Sequence, residues 1–478
     1  MSVQTDRERS QGVEMTSSAK PVSRAWRYWP PLAILGMAVV LIAFVAFSKA
    51  SMVMVNRLFS HPPLYGRYGP DFAIPLGLWL IPAGLVLAAI AWVVTSARRI
   101  PSWLALALIV AGAWLTSIAV NLVRGDKREL YEGVSTNLNA PYYTRDLHFV
   151  DQYGVRGFVE HFPELIKQLG AYNGKTHPPG VQVLLWTVSK VVGDHPFRFA
   201  TVLAFISLLT ALGAWAMARS YGGERAGRIA AVLAVAAPGP LMLAYTNMDV
   251  IFAAFFSISA ALFVVGSRRR SIGLTAAAGA VAGFAAFLTY ATAFLVLAAV
   301  VAVVVETRSL RPALRLLAAA AAGGIAVLIV LRLALGYDLL ACYQAMARSS
   351  GQFYPYWMAG QPASMLLWAG LPLAALGLGG LIVKVPEARR PVLPLVLIVA
   401  MFIWGLLPPT ITSLRQGEVE RTWAFLYPML AASAGPVVAR WTDSTRLSRI
   451  WAGSVVFALV IISVAQAGFI QALWDNLL

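Results

Sequence analysis

Charge is scarce in this chain: Asp, Glu, Lys and Arg make up 12% of its 478 residues, about half the share found in an ordinary soluble domain. Acids are scarcer than bases, 21 against 38. There is one cysteine, Cys342, which excludes a disulfide within the chain and any cysteine-based zinc site. No Walker-type phosphate loop occurs, which disfavours an ABC transporter or other ATPase. What is abundant is apolar. Hydrophobic residues reach 59% and the mean hydropathy is +0.71, values that belong to integral membrane proteins. The net charge of +17 would suggest nucleic acid in a soluble protein. Here the bases lie in short loops between apolar runs, the positive-inside pattern, and no nucleic-acid partner is expected.

Windows of about 20 apolar residues predict about thirteen membrane spans, at 31–48, 73–95, 102–122, 197–218, 227–244, 248–266, 272–290, 291–306, 313–331, 364–384, 391–408, 421–439 and 450–470. Basic residues orient them. Arg98 and Arg99, Arg219 with Arg225 and Arg228, Arg268 to Arg270, Arg308 with Arg311 and Arg315, Lys384 with Arg389 and Arg390, and Arg440 with Arg446 and Arg449 mark cytoplasmic loops. The alternation holds only if the apolar segment Pro179–Val192, short for a crossing, is an interfacial helix on the outer face, where Trp186 and Lys190 would suit it. The expected organisation is all-α. Residues 1–28 form a cytoplasmic tail without a cleavable leader, 29–122 the first three spans, 123–196 an extracytoplasmic loop with juxtamembrane helices, and 197–478 a transmembrane helical body. A high content of Ala, Arg and Gly hints at a GC-rich bacterial genome, hence a bacterial plasma membrane. Cytoplasmic loops are too short for a nucleotide-binding domain.

The polar interruption from Val123 to Pro179 concentrates acids, histidines and aromatics beside lipid, and chemistry is expected there. Asp146 lies in an aromatic-rich stretch with Arg145 next to it as a substrate contact. A carboxylate in such a partly desolvated loop can serve as general base, and Asp126 is the second choice. Either residue also reads as an ordinary loop acid. Lys175 and His177 precede Pro178, Pro179 and Gly180. Two prolines start a helix stiffly, holding both cationic groups at headgroup level, where a lipid-linked phosphate would be met. The alternative is a plain helix-start signal. Asp249, in the turn from Tyr245, would position substrate or cap the following helix. Arg421 with Glu418 and Glu420 would bind phosphate and sugar hydroxyls, or form a local ion pair. Arg332 and the loop bearing Tyr354, Pro355, Tyr356 and Trp357 read as a sugar surface or as an interfacial aromatic belt. The spans carry almost no acid, which argues against a midplane proton or sodium relay. No internal repeat is evident, which disfavours a two-halved transporter.

The acid-bearing first outer loop, the His-Pro-Pro-Gly element about 30 residues later and the many spans that follow resemble the GT-C superfamily of polytopic glycosyltransferases. The likeness is to the family 39-like group of protein mannosyltransferases and aminoarabinose transferases. The resemblance covers about Leu104 to the end. It implies a sugar donor carried on polyprenyl phosphate at the outer leaflet, a cell-envelope glycan, lipid or protein as acceptor, and inverting transfer. The catalytic base would be Asp146, with His177 and Lys175 at the lipid phosphate and Arg421 as a second phosphate contact. No nucleotide is required, and a divalent cation stays open. The sequence departs from the family at Lys127 after Asp126, at Leu147 after Asp146, and in two additional spans at the start. Competing expectations are a flippase or transporter of a lipid-linked envelope precursor, and an O-antigen-like polymerase or ligase.

Overall fold

A computed structural model describes residues 25–54, 67–68, 71–131, 143–346, 355–407, 422–444 and 449–475, apart from positions 75, 98, 172 and 194. Its helices, in chain order, begin with α1 (Ala25–Met54), α2 (Leu80–Ser96) and α3 (Ser102–Asn121). The polar interruption contributes α4 (Leu147–Glu160), α5 (Phe162–Leu165) and α6 (Gly180–Val192). The body continues with α7 (Pro196–Leu208), α8 (Thr210–Ala236), α9 (Pro238–Leu243), α10 (Asp249–Arg269), α11 (Ile272–Leu288), α12 (Thr292–Thr307) and α13 (Leu310–Leu335). After α14 (Leu339–Ala345) come α15 (Pro355–Ala369), α16 (Leu371–Ile382), α17 (Val392–Leu406), α18 (Tyr427–Ser444) and α19 (Arg449–Leu473). The described β structure is one antiparallel bridge, Arg67–Tyr68 with Trp474–Asp475.

The all-α membrane architecture stands, while the count of thirteen spans is not confirmed. Seven described helices are long and apolar enough to cross a bilayer, or up to eight with one bent pair, and four more apolar helices are shorter. Three of the expected spans, 272–290, 291–306 and 391–408, form the shorter helices α11, α12 and α17, and two local breaks account for part of the remaining difference. The run Pro196–Ala236 passes the length test as one piece, yet Gly222 and Gly223 leave helical geometry inside it, Gly223 at φ 84°. A Cβ on Gly227 would meet the Trp215 carbonyl oxygen at 2.9 Å and Arg219 Cβ at 3.0 Å. Residues twelve apart come this close only if the chain doubles back, so the two windows read at 197–218 and 227–244 are arms of a hairpin. The window 364–384 is broken differently: α15 and α16 meet at 112° about Gly370, φ 83°. Gln466 of α19 repairs the break, accepting from the Leu371 N–H at 2.9 Å and donating to the Leu367 carbonyl at 2.7 Å. Broken backbone is tolerated at membrane depth when protein groups resatisfy it.

Close backbone approach holds the body together. A Cβ on Gly279 or Gly323 would run into the backbone of the facing helix at Ala320 or Ala276, so α11 and α13 cross through small residues. At α3, Ser117 and Asn121 both donate to the Leu241 carbonyl of α9, at 2.5 and 3.2 Å.

The loops segregate to two ends. At one, Arg228 donates to the carbonyls of Val94, Ala97 and Ile100, Arg268 reaches Ser220, Glu306 and the Arg390 carbonyl, and Arg440 pairs with Glu387. All of these are loops whose bases oriented the spans. At the other end, the Ala73 N–H meets the Val123 carbonyl, Gln471 meets Glu129, and Phe197 stacks on Tyr245. Helix α6 belongs to this second end throughout. It starts against Phe287 at the end of α11 and leads into α7, whose first turn carries Phe197. Both of its ends thus lie at this second end of the body.

Candidate active site

The polar interruption has a small core of its own: Val150, Phe158, Phe162, Leu165, Ile166 and Leu169 pack with Phe287, Leu331 and Tyr337 of the body. On this base the turn Tyr143–Asp146 leads into α4. Asp146 precedes the first residue of α4 but does not cap that helix. Its side chain turns inward and is fully buried. There it accepts hydrogen bonds from the backbone N–H groups of Gly170 at 2.7 Å and Ala171 at 3.0 Å. Burial holds its carboxyl above the usual carboxylate range, and the two N–H donors oppose that shift. Each oxygen keeps a lone pair for a proton. Arg145 stays exposed and folds over Gly170, where an added Cβ would meet its Nε at 2.5 Å.

The segment bearing Lys175 and His177 is locked to Asp146 through a glycine. Gly174 sits in the turn Asn173–Thr176, and a Cβ there would meet Asp146 Oδ2 at 3.0 Å and Gln182 Nε2 at 2.9 Å. Those two polar atoms therefore lie against the turn that bears Lys175, which is half-buried. Gly180 has a similar reason: a Cβ would collide with the Phe287 carbonyl and meet its ring at 2.5 Å. After Pro178 and Pro179, only glycine lets α6 start this close to α11.

His177 and Asp249, 72 positions apart in sequence, come together. His177 Nε2 lies 3.9 Å from Asp249 Oδ1, with both side chains largely buried. This is ion-pair range, longer than a hydrogen bond. The Thr176 hydroxyl is 3.1 Å from His177 Nδ1, and the imidazole tilts onto Phe252 at 5.3 Å. Asp249 opens α10 with its N–H given to Asn247 Oδ1 at 2.8 Å. Asn247 does the turn-making that Asp249 was a candidate for, and the Asp249 carboxylate faces histidine.

Asp126 is differently placed. It caps the turn Lys127–Leu130 by accepting from the Arg128 N–H, and one oxygen takes Arg128 Nε and Nη2 at 2.8 and 2.6 Å. Those hydrogen bonds pull its carboxyl below the usual range. The neighbouring Glu129, not singled out in the sequence, is the buried acid of this segment. It pairs with Arg124 at 3.8 Å and accepts from Gln471 at 3.3 Å. Arg332 bonds Asp338 at 3.1 Å. Glu418, Glu420, Arg421 and Tyr354 lie outside the described residues. Among the described residues, no three His, Cys, Asp or Glu side chains gather as a metal site would require.

Gln182 was also missed. It is fully buried, and neither its Nε2 nor its Oε1 has a hydrogen-bond partner. The sequence signal was a lone amide on the inward face of α6, in register with Val181, Leu185 and Val188. Trp186 and Lys190, expected at a lipid interface, converge on Asp151 of α4 at 2.8 Å each and clasp α4 to α6.

Residues 176–333 match the family of dolichyl-phosphate-mannose-protein mannosyltransferases. The match starts one residue before His177, takes in Asp249, and bears out the resemblance to the GT-C glycosyltransferases. No curated protein matches. Among solved structures, ArnT from Cupriavidus metallidurans in the apo state is 15% identical, with 66% of this chain and 72% of that one covered at a TM-score of 0.47. The same protein bound to undecaprenyl phosphate gives 15%, 77%, 74% and 0.45. The Archaeoglobus fulgidus oligosaccharyltransferase gives 14%, 63%, 45% and 0.37.

Proposed function

We propose that this chain is a membrane glycosyltransferase that moves a sugar from a polyprenyl-phosphate donor to a cell-envelope acceptor, in the extracytoplasmic layer built by residues 143–193. The observation that carries the reading is the burial of the Asp146 carboxylate against the same turn that presents Lys175 and leads to His177. A desolvated carboxylate is a stronger base than one in water.

In the proposed reaction the acceptor hydroxyl gives its proton to Asp146 while its oxygen attacks the anomeric carbon. The bond from that carbon to the phosphate oxygen breaks on the opposite face, and the electron pair leaves on the lipid phosphate. Lys175 and His177, the latter backed by Asp249 at 3.9 Å, face the departing charge. Asp146 lies against Gly174, the residue before Lys175, so the proposed base and leaving-group site are joined by one short turn. Arg421, with Glu418 and Glu420, is proposed as a further phosphate and sugar contact. A lipid-borne donor requires no nucleotide site.

Purified protein assayed by mass spectrometry against a panel of polyprenyl-phosphate sugars tests this directly. Transfer of one sugar, lost in Asp146→Asn, is the expected result. Full transfer by that variant overturns the base assignment. Movement of intact lipid-linked sugar between leaflets of a vesicle without any transfer would replace the enzyme by a flippase.

A further inference from the structure

At the opposite, basic end of the body, an open cavity of about 520 Å³ lies between α8 and α10. Its walls are Leu212, Trp215, Ile258, Leu262 and Val265, and its far end is ringed by Arg219, Arg268 and Arg269. The two helices touch at the near end, where a Cβ on Gly213 would meet Ser257 at 2.6 Å. The cavity runs from that crossing to the arginines, about 10 Å along α8 and about 15 Å along α10 at the helical rise. That matches one leaflet of a hydrocarbon core about 30 Å thick. The lining side chains are half-buried on helix faces that are otherwise packed, so the slot is recessed rather than part of a smooth lipid-facing surface.

The charges at its mouth are arranged unevenly. Arg268 is committed inward: it reaches Ser220, lies 3.5 Å from Glu306, and stacks on Tyr221 at 4.2 Å. Arg219 is held against the slot wall by the Trp215 ring at 4.9 Å and shares Glu224 with Arg228. Arg269 is exposed and makes no ion pair among the described residues. Counting Arg228, four cations thus share two carboxylates at the end of an apolar slot of leaflet depth. We infer that this slot is a binding site for one acyl chain of an anionic glycerophospholipid, its phosphate held by Arg219 and Arg269. The inference is independent of the reaction proposed above. It concerns the other end of the body and none of the residues assigned to catalysis.

The test is native mass spectrometry of the full-length protein in detergent, after incubation with phosphatidylglycerol or with phosphatidylcholine carrying the same acyl chains. Wild type should retain one phosphatidylglycerol with a preference of about tenfold over phosphatidylcholine, the size expected of a charge-assisted phosphate contact. The double variant Arg219→Gln with Arg269→Gln should lose the preference while still binding both lipids weakly. Leu262→Trp, which fills the slot, should lose both. Ala216→Leu on the facing wall serves if the tryptophan variant is not monodisperse. Arg270→Asn removes a neighbouring charge that does not line the slot and should bind as wild type does. Equal preference in wild type and the double glutamine variant, undiminished retention with the slot filled, or the same loss in Arg270→Asn would each overturn the site. Displacement of phosphatidylglycerol by an equal amount of polyprenyl phosphate would overturn the assignment to a glycerophospholipid.

Discussion

Arg228 and Asp146 are both buried charges, one at each end of the helical body, and their surroundings differ in kind. Arg228 donates to Glu224 at 3.0 Å and to the carbonyls of Val94, Ala97 and Ile100. Glu224 in turn accepts from Ser102 at 2.7 Å. Every arm of that guanidinium is used, tying the end of α2 and the start of α3 to the hairpin at Gly222 and Gly223. Asp146 has two backbone N–H donors and no ion pair among the described residues, and beside it Gln182 is buried with both polar atoms unpartnered. A saturated knot has nothing left to offer a ligand, whereas an unsaturated cluster keeps hydrogen-bonding capacity in reserve at a cost to stability. The contrast separates a charge whose hydrogen bonds tie the fold together from one that keeps bonding capacity, as the proposed base would need.

The sharpest way to break the comparison is to neutralise each charge and measure both activity and stability. Asp146→Asn should lower turnover by about 100- to 10,000-fold, the range of general-base catalysis, while leaving the protein folded. Burial raises the Asp146 carboxyl above the ordinary range, so the acid limb of kcat/KM should sit above that of an exposed aspartate and vanish from the residual activity of the variant. The stability sign follows from the same shift. The neutral carboxyl contributes fully below its unfolded-state value and loses that contribution as pH rises through the folded-state value. A flat pH profile in wild type would contradict this.

Arg228→Met should do the reverse. It strands three carbonyls and takes one of two arginines from Glu224, and a buried polar group left unsatisfied costs about 1–3 kcal/mol, readable as thermal unfolding in detergent. Turnover per folded molecule should be unchanged, and a loss of turnover without a loss of stability would erase the distinction. Gly180→Ala is expected to cost about 1–3 kcal/mol through overpacking against Phe287. It should also cut activity, because α6 cannot shift without moving Gln182 and the Lys175 turn. Asp249→Asn should raise the donor KM about three- to tenfold with little change in kcat, the loss of one charged neighbour beside His177. The smallest effect belongs to Lys190→Gln. Its ion pair with Asp151 is half-exposed, worth about 1 kcal/mol or less, and screened by salt.

Much of the fold could be read along the chain. Among the described residues most of each apolar window is helical backbone, and the basic loops gather at one end, because hydropathy and positive charge act locally and need no knowledge of neighbours. The span count was less legible. The turn at Gly222 and Gly223 falls in the loop that Arg219, Arg225 and Arg228 had marked, whereas Gly370 looks like an ordinary small residue of a membrane helix until its φ value and the opposing Gln466 show where the chain bends. In the site, His177-Pro-Pro-Gly180 and Asp146 stood out by composition, and the pairing of His177 with Asp249 lay hidden in the 71 residues between them. Gln182 showed only as a lone amide in the apolar run of α6, which reads alike whether it is saturated or unpartnered, and Arg228 and Glu129 read as ordinary loop charges whose burial the sequence does not reveal.

The chain by itself determined the solvent in which it folds, the helical character of nearly every segment and the two-ended distribution of charge, all consequences of transfer free energy summed over local windows. Tertiary structure alone decided which polar groups are satisfied. That depends on which carbonyl, amide or carboxylate arrives within about 3 Å from a distant helix, and no local window contains that distance.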